Sequence, residues 1–119
     1  MIEKTLLDYL ETALTPVPVY CEVPEIVPET YVIIERTGGN VENHLYESTF
    51  AFKSYAPTLL AAATLDEAVC NALLASTSLP LISAARLNSH YNFTDTTTHE
   101  YRYQAVFDFV HYKERVNQA

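Results

Sequence analysis

Tyr101-Arg102-Tyr103-Gln104-Ala105-Val106-Phe107-Asp108-Phe109-Val110-His111-Tyr112 is the stretch on which the fold of this chain turns. Tyr101, Tyr103, Ala105, Phe107 and Phe109 fall on one side of a strict alternation, and Arg102, Gln104, Val106, Asp108 and Val110 fall on the other. A period of two over so many residues is a strand signal, because side chains on a pleated backbone point alternately to opposite faces. Its aromatic and β-branched content agrees. One face is apolar enough to be core, while the other mixes Arg, Gln and Asp with valines. The stretch therefore reads as a long strand of the main sheet, buried on one side.

Working outward, Ile82–Phe93 reads as a second strand with Ala85, Leu87, Ser89 and Tyr91 on one side. Thr94–Thr97 turns it into the final strand. Before it, Thr58–Ser76 is rich in alanine and leucine and predicts the longest helix. Ala62, Leu65, Val69 and Leu73 form one line along it, Thr64, Glu67 and Asn71 another, and Pro57 suits a helix start. His44–Tyr55 alternates as a strand, with Tyr46, Ser48, Phe50 and Phe52 facing one way. Thr30–Arg36 is β-branched and apolar, a strand near the sheet centre. The only two glycines, Gly38 and Gly39, stand between these strands and mark a turn with a long tip reaching to His44.

At the N-terminus, Ile2, Leu6, Leu10 and Ala13–Leu14 form the apolar stripe of an amphipathic helix that stops at Thr15-Pro16. Four prolines at 16, 18, 24 and 28 restrict any strand between them to a short edge piece around Val19–Val23. The order is α-β-β-β-α-β-β. The fold class is α+β, with two helices packed on one face of a mainly antiparallel sheet, in a single domain spanning 1–119.

Composition narrows the function. An apolar fraction of 49% and a charged fraction of 18% indicate a folded chain rather than a disordered one. Nine tyrosines without a tryptophan suit sheets and interfaces, where a half-wet aromatic is useful. Fifteen acidic against seven basic residues give a net charge of −8, which would repel a phosphate backbone, so no direct nucleic-acid affinity is expected. The charged start (Glu3, Lys4) does not read as a signal peptide, and no window is read as a membrane span. Synthesis in the cytoplasm and no membrane association are the expectation. Cys21 and Cys70 lack a CxxC partner; a disulfide stays open, while usage favours buried or partly buried free thiols.

No catalytic constellation emerges, and no cofactor is expected. His44, His90, His99 and His111 lie on strand-like stretches or their ends. His90 and His99 flank the last turn near Asp95 and Glu100, but without metal-ligand spacing, so solvated strand-end histidines are expected and no metal. Asp66 and Glu67 diverge by about 100° on a helix and read as a solvated face. No serine or cysteine sits in an elbow motif, and the two glycines cannot cradle phosphate alone. Sheet edges, a hairpin tip and tyrosine-rich faces point to assembly with other protein, rather than to tyrosines that only complete a small core.

Several segments carry a resemblance: Glu29–Gly39 (ETYVIIERTGG), Ser48–Ala56 (STFAFKSYA), Thr64–Val69 (TLDEAV), Leu87–Asp95 (LNSHYNFTD) and Tyr101–Asp108 (YRYQAVFD). Across residues 29–112 the chain resembles the tail terminator, or tail-completion (tail-to-head joining), proteins of long-tailed phages and prophages of Gram-positive bacteria. The resemblance implies a structural protein at the head-proximal end of the virion tail, made in the bacterial host cytoplasm. It would form a six-fold ring, stop polymerisation of the tail tube protein and meet the head–tail connector proteins, without catalysis or cofactor. Ring and tube contacts are expected at the hairpin tip (Gly38, Gly39, Asn40, Glu42, Asn43, His44) and the last loop (Asp95, Thr96, Thr97, His99). Glu42, Asp66 and Glu67 are candidates to line a lumen that passes DNA without binding it. Alternatives are another minor tail or head-completion protein, or a soluble α+β ligand-binding or regulatory module.

Overall fold

The stretch Arg102–Tyr112 is an interior strand of a five-stranded sheet, next to one edge and hydrogen-bonded along both sides. The computed structural model describes residues 1–42 and 45–112. Its elements are α1 (Ile2–Ala13), β1 (Val19–Tyr20), β2 (Tyr31–Glu42), β3 (Leu45–Tyr55), α2 (Leu59–Leu74), β4 (Ile82–Asn92) and β5 (Arg102–Tyr112), with a single 3₁₀ turn at Ser76–Ser78. The α-β-β-β-α-β-β order and the α+β class stand as expected. Sheet order is β1-β2-β3-β5-β4, antiparallel except where β1 runs parallel to β2. β3 and β4 both oppose β5, so β3-α2-β4 is a crossover with β5 inserted between its strands, a split βαβ arrangement.

Both helices lie on one face. There the alternation of β5 delivers Ala105, Phe107 and Phe109, fully buried beside Phe50 and Phe52 of β3 and Val32 and Ile34 of β2. The rings meet edge to face: Phe52–Phe107 centroids are 6.0 Å apart at 87°, and Phe50–Phe109 centroids are 5.9 Å apart at 72°. Such pairs add to the ordinary gain from burying apolar area. Ile2, Leu6 and Leu10 of α1 and Leu65, Val69 and Leu73 of α2 close the core. The Tyr9 hydroxyl donates to the Ala72 carbonyl at 2.6 Å, tying the two helices together. Thr58 caps α2 by accepting from the Ala61 N–H at 3.1 Å.

Three expectations change. The Gly38-Gly39 pair is not a turn: β2 continues to Glu42 in register with Leu45, and neither glycine has a positive φ. A bulge at Thr37 separates Arg36 from Gly38, and Gly39 serves close packing instead. β4 also does not keep one alternation. Its register shifts at Ser83 and at Asn88, so Ala85 and Leu87 face the helices, whereas Ser89 and Tyr91 share the opposite face with Gln104 and Val106. Finally, Leu59–Ser78 does pass as a membrane-span candidate by length and composition, with a mean hydropathy of 1.4. Here its apolar stripe is packed on the sheet.

Candidate functional site

The bulge at Asn88 creates the most concentrated group of reactive side chains in the described residues. Restarting the alternation there turns His90 to the helix face, opposite Ala105 and against α2. Asp66 waits for it, one helical turn from Cys70 on the buried side. His90 Nδ1 lies 2.9 Å from Asp66 Oδ2, and Cys70 Sγ lies 4.0 Å from the same oxygen. The side chain of Asp66 is only 2% exposed, that of His90 48%. Asp66 Oδ1 is buried without a hydrogen-bond partner among the described residues. Burial pushes the Asp66 carboxyl above its ordinary range, against the opposing pull of the His90 hydrogen bond and charge. The Cys70 thiol is pushed up to about 12, by burial first and then by the charges of Asp66 and Glu67. A carboxylate between thiol and imidazole therefore suppresses the thiolate rather than activating it.

This overturns the expectation that Asp66 and Glu67 form a solvated face: Glu67 is exposed, but Asp66 belongs to the buried stripe with Ala62 and Cys70. A side chain enclosed by α2 and β4 cannot line a lumen. The signal was present in the sequence, since Ala62, Asp66 and Cys70 repeat at one-turn spacing beside Leu65, Val69 and Leu73. The partner His90 could not be found that way, because its face depends on the bulge.

His111 is a second correction. It is buried, 4% exposed, rather than a solvated strand end. Its Nδ1 donates to the Tyr112 carbonyl at 3.2 Å. Arg36 Nη2 donates to Ser48 Oγ at 3.1 Å, and Ser48 Oγ lies 2.7 Å from His111 Nε2, to which its hydroxyl donates when the imidazole is neutral. Burial favours that neutral form and holds the His111 pKa below its ordinary value.

The expected contact segments lie at opposite ends of the sheet. Gly38, Gly39, Asn40 and Glu42 sit on β2 toward the end where Leu45 pairs with Tyr112. Asn43 and His44 lie outside the described residues. Asp95, Thr96, Thr97 and His99 sit beyond the far end, where Tyr55 pairs with Arg102. Asp95 Oδ1 accepts from the backbone N–H groups of Thr97 (2.9 Å) and Thr98 (3.3 Å), which hold its carboxyl below the usual range. His99 completes this turn in the left-handed region, φ 56. His90 and His99 are not brought together, since His90 is bonded to Asp66. Both cysteines are free: Cys70 is buried as expected, whereas Cys21 is exposed.

The helix-free face is a mosaic of polar ties. Thr49 Oγ1 and Asn88 Nδ2 donate to the two oxygens of Asp108 at 2.7 and 3.0 Å, Lys53 meets Glu35 at 2.7 Å, and Gln104 Nε2 donates to the Tyr91 hydroxyl at 2.8 Å. Beside Asp108 and Arg86 is a shallow concavity of about 260 Å3. Toward the far end, Tyr31 and Tyr55 stack at 4.4 Å, and the Arg102 guanidinium lies 4.6 Å from the centre of the Phe93 ring.

The sheet also has long open edges. Among the described residues, β4 pairs only with β5 along its whole length, and β2 beyond Ile33 pairs only with β3, because β1 covers just Val32 and Ile33. Val41 on β2 and Tyr91 on β4 are exposed. Compared with models of known protein families and with curated proteins, the chain matches none.

Proposed function

We propose that this chain is a structural virion protein that caps a phage tail tube, stops its polymerisation and helps join the tail to the head. The observation that carries this reading is the pair of open strand edges, β4 on one side of the sheet and the distal half of β2 on the other. Unpaired strand backbone is a template for another chain, and two different edges favour a head-to-tail contact. Such contacts must close into a ring or grow into a filament, and a six-fold ring on the tail is the closed form proposed here. The two opposite ends of the sheet, separated by strands of roughly 35 Å, supply distinct surfaces for the tube protein and the connector. Six copies carry roughly −48 before screening, which suits a ring that must let DNA pass without holding it.

Assembly is favoured over catalysis because the Asp66–Cys70–His90 arrangement raises the thiol pKa instead of lowering it. It is favoured over a ligand-binding module because the concavity beside Asp108 is shallow and set among polar side chains, whereas small-molecule sites are enclosed and largely apolar. Electron microscopy of particles made without this chain tests the reading. Abnormally long, headless tails are expected. Complete infectious particles would refute a structural role, and tails of normal length that fail to join heads would reduce it to joining alone.

A further inference from the structure

Asp66, Cys70 and His90 offer a carboxylate oxygen, a thiol sulfur and an imidazole nitrogen that all lie within 4.8 Å of one another. The geometry points to a transition-metal site, Zn2+ by donor chemistry, that clasps α2 to the edge strand β4. Two ligands come from one face of a helix at one-turn spacing, and the third comes from the strand beneath it, the way many metal sites are built from rigid elements.

The donor set selects the metal class. Mg2+ and Ca2+ take oxygen ligands, whereas a thiolate, an imidazole and a carboxylate together suit Zn2+. Tetrahedral zinc places neighbouring donors roughly 3.2–3.6 Å apart. The Nδ1–Oδ2 separation of 2.9 Å and the Sγ–Oδ2 separation of 4.0 Å bracket that spacing and all three donors lie within 4.8 Å, so closing round an ion takes displacements on the order of 1 Å. A second observation points the same way: Asp66 Oδ1 is buried and has no hydrogen-bond partner among the described residues, a costly state that a cation engaging both carboxylate oxygens relieves. The half-exposed His90 ring can adjust, and its open side leaves a fourth position for water or a further ligand. On binding, the Cys70 thiol gives up its proton, the ligating imidazole nitrogen gives up any proton it carries, and Asp66 binds as the carboxylate. None of this depends on the tail reading.

The test uses the full chain, reduced and stripped with a chelator, then titrated with Co2+ and Zn2+. One equivalent of Co2+ is expected to give a sulfur-to-cobalt charge-transfer band with tetrahedral ligand-field bands, and Zn2+ should displace it and raise the Tm. Cys70→Ser should abolish the charge-transfer band. His90→Gln, at a partly exposed position, should fold normally and weaken binding by at least the roughly 10- to 100-fold that loss of an outer-shell partner costs. Cys21→Ser should leave the band intact, because Cys21 follows β1 at the other edge of the sheet. Absence of the band in the native chain, its loss in Cys21→Ser, or unchanged affinity in His90→Gln would each overturn the site and leave Asp66–His90 as a simple hydrogen-bonded clasp.

Discussion

Gly39 occupies a place where a β-carbon would lie 2.7 Å from the Glu47 carbonyl oxygen and 2.8 Å from Arg36 Nη2. The guanidinium could swing away, but the carbonyl belongs to the β2–β3 ladder and cannot. Gly39→Ala is therefore expected to lower stability by about 1–3 kcal/mol, the usual cost of forced overpacking. At Gly38 no atom of the described residues lies within 4 Å of such a carbon and φ is not positive, so Gly38→Ala should be neutral or stabilising by up to about 1 kcal/mol. Urea unfolding midpoints of the two variants separate these outcomes; equal effects would contradict the packing account. A second residue-scale prediction concerns pH. Burial lowers the pKa of folded His111 from the ordinary 6.5, so below that pH the unfolded chain binds a proton that the folded chain resists. The stability contributed by neutral His111 is present above 6.5 and is lost as pH falls toward its folded pKa. His111→Gln should flatten the stability profile between about pH 7 and 5 relative to the native chain. A profile unchanged by the substitution would remove His111 as its source.

At the scale of elements, α2 owes its start to one side chain. Thr58 has extended backbone and accepts the Ala61 N–H, so Thr58→Ala should cost about 0.5–2 kcal/mol without altering the fold, as measured by denaturant melts with an unchanged m-value. The core is less forgiving. Phe107 is fully buried and touches Phe52 and Phe109 edge-on or stacked, so Phe107→Ala should cost about 3–5 kcal/mol, a large part of the stability of any domain this size. β4 is the element whose detail matters most. Removing Asn88 would take out the bulge and restore a single alternation, which carries His90 away from Asp66 or forces the rest of the strand to reregister.

For the molecule as a whole, the open edges carry the assembly reading. Val41→Lys together with Tyr91→Lys adds charge to exposed apolar positions on the two edge strands. Lysine on an edge strand opposes pairing, so on the proposed assembly reading the native chain should form rings and the double variant should remain a single chain under the same conditions, as read by light scattering after size exclusion. Ring formation by the variant would move the contact to the ends of the sheet. Because the chain carries −8, subunits repel at long range, and raising the salt concentration should favour assembly.

The sequence alone determined the elements and their faces wherever periodicity was uninterrupted. The alternation of Tyr101–Tyr112 placed Phe107 and Phe109 in the core, the stripe Ile2-Leu6-Leu10 placed α1, and the prolines confined β1 to an edge. These follow from local geometry, a period of two or of 3.6, which a linear pattern records directly. Tertiary structure alone decided what depends on register between distant segments. The extension of β2 through Gly38 and Gly39, the bulge at Asn88 and the meeting of His90 with Asp66 are set by pairing across strands. A one-residue shift exchanges the two faces of a strand, and nothing within the shifted segment records it.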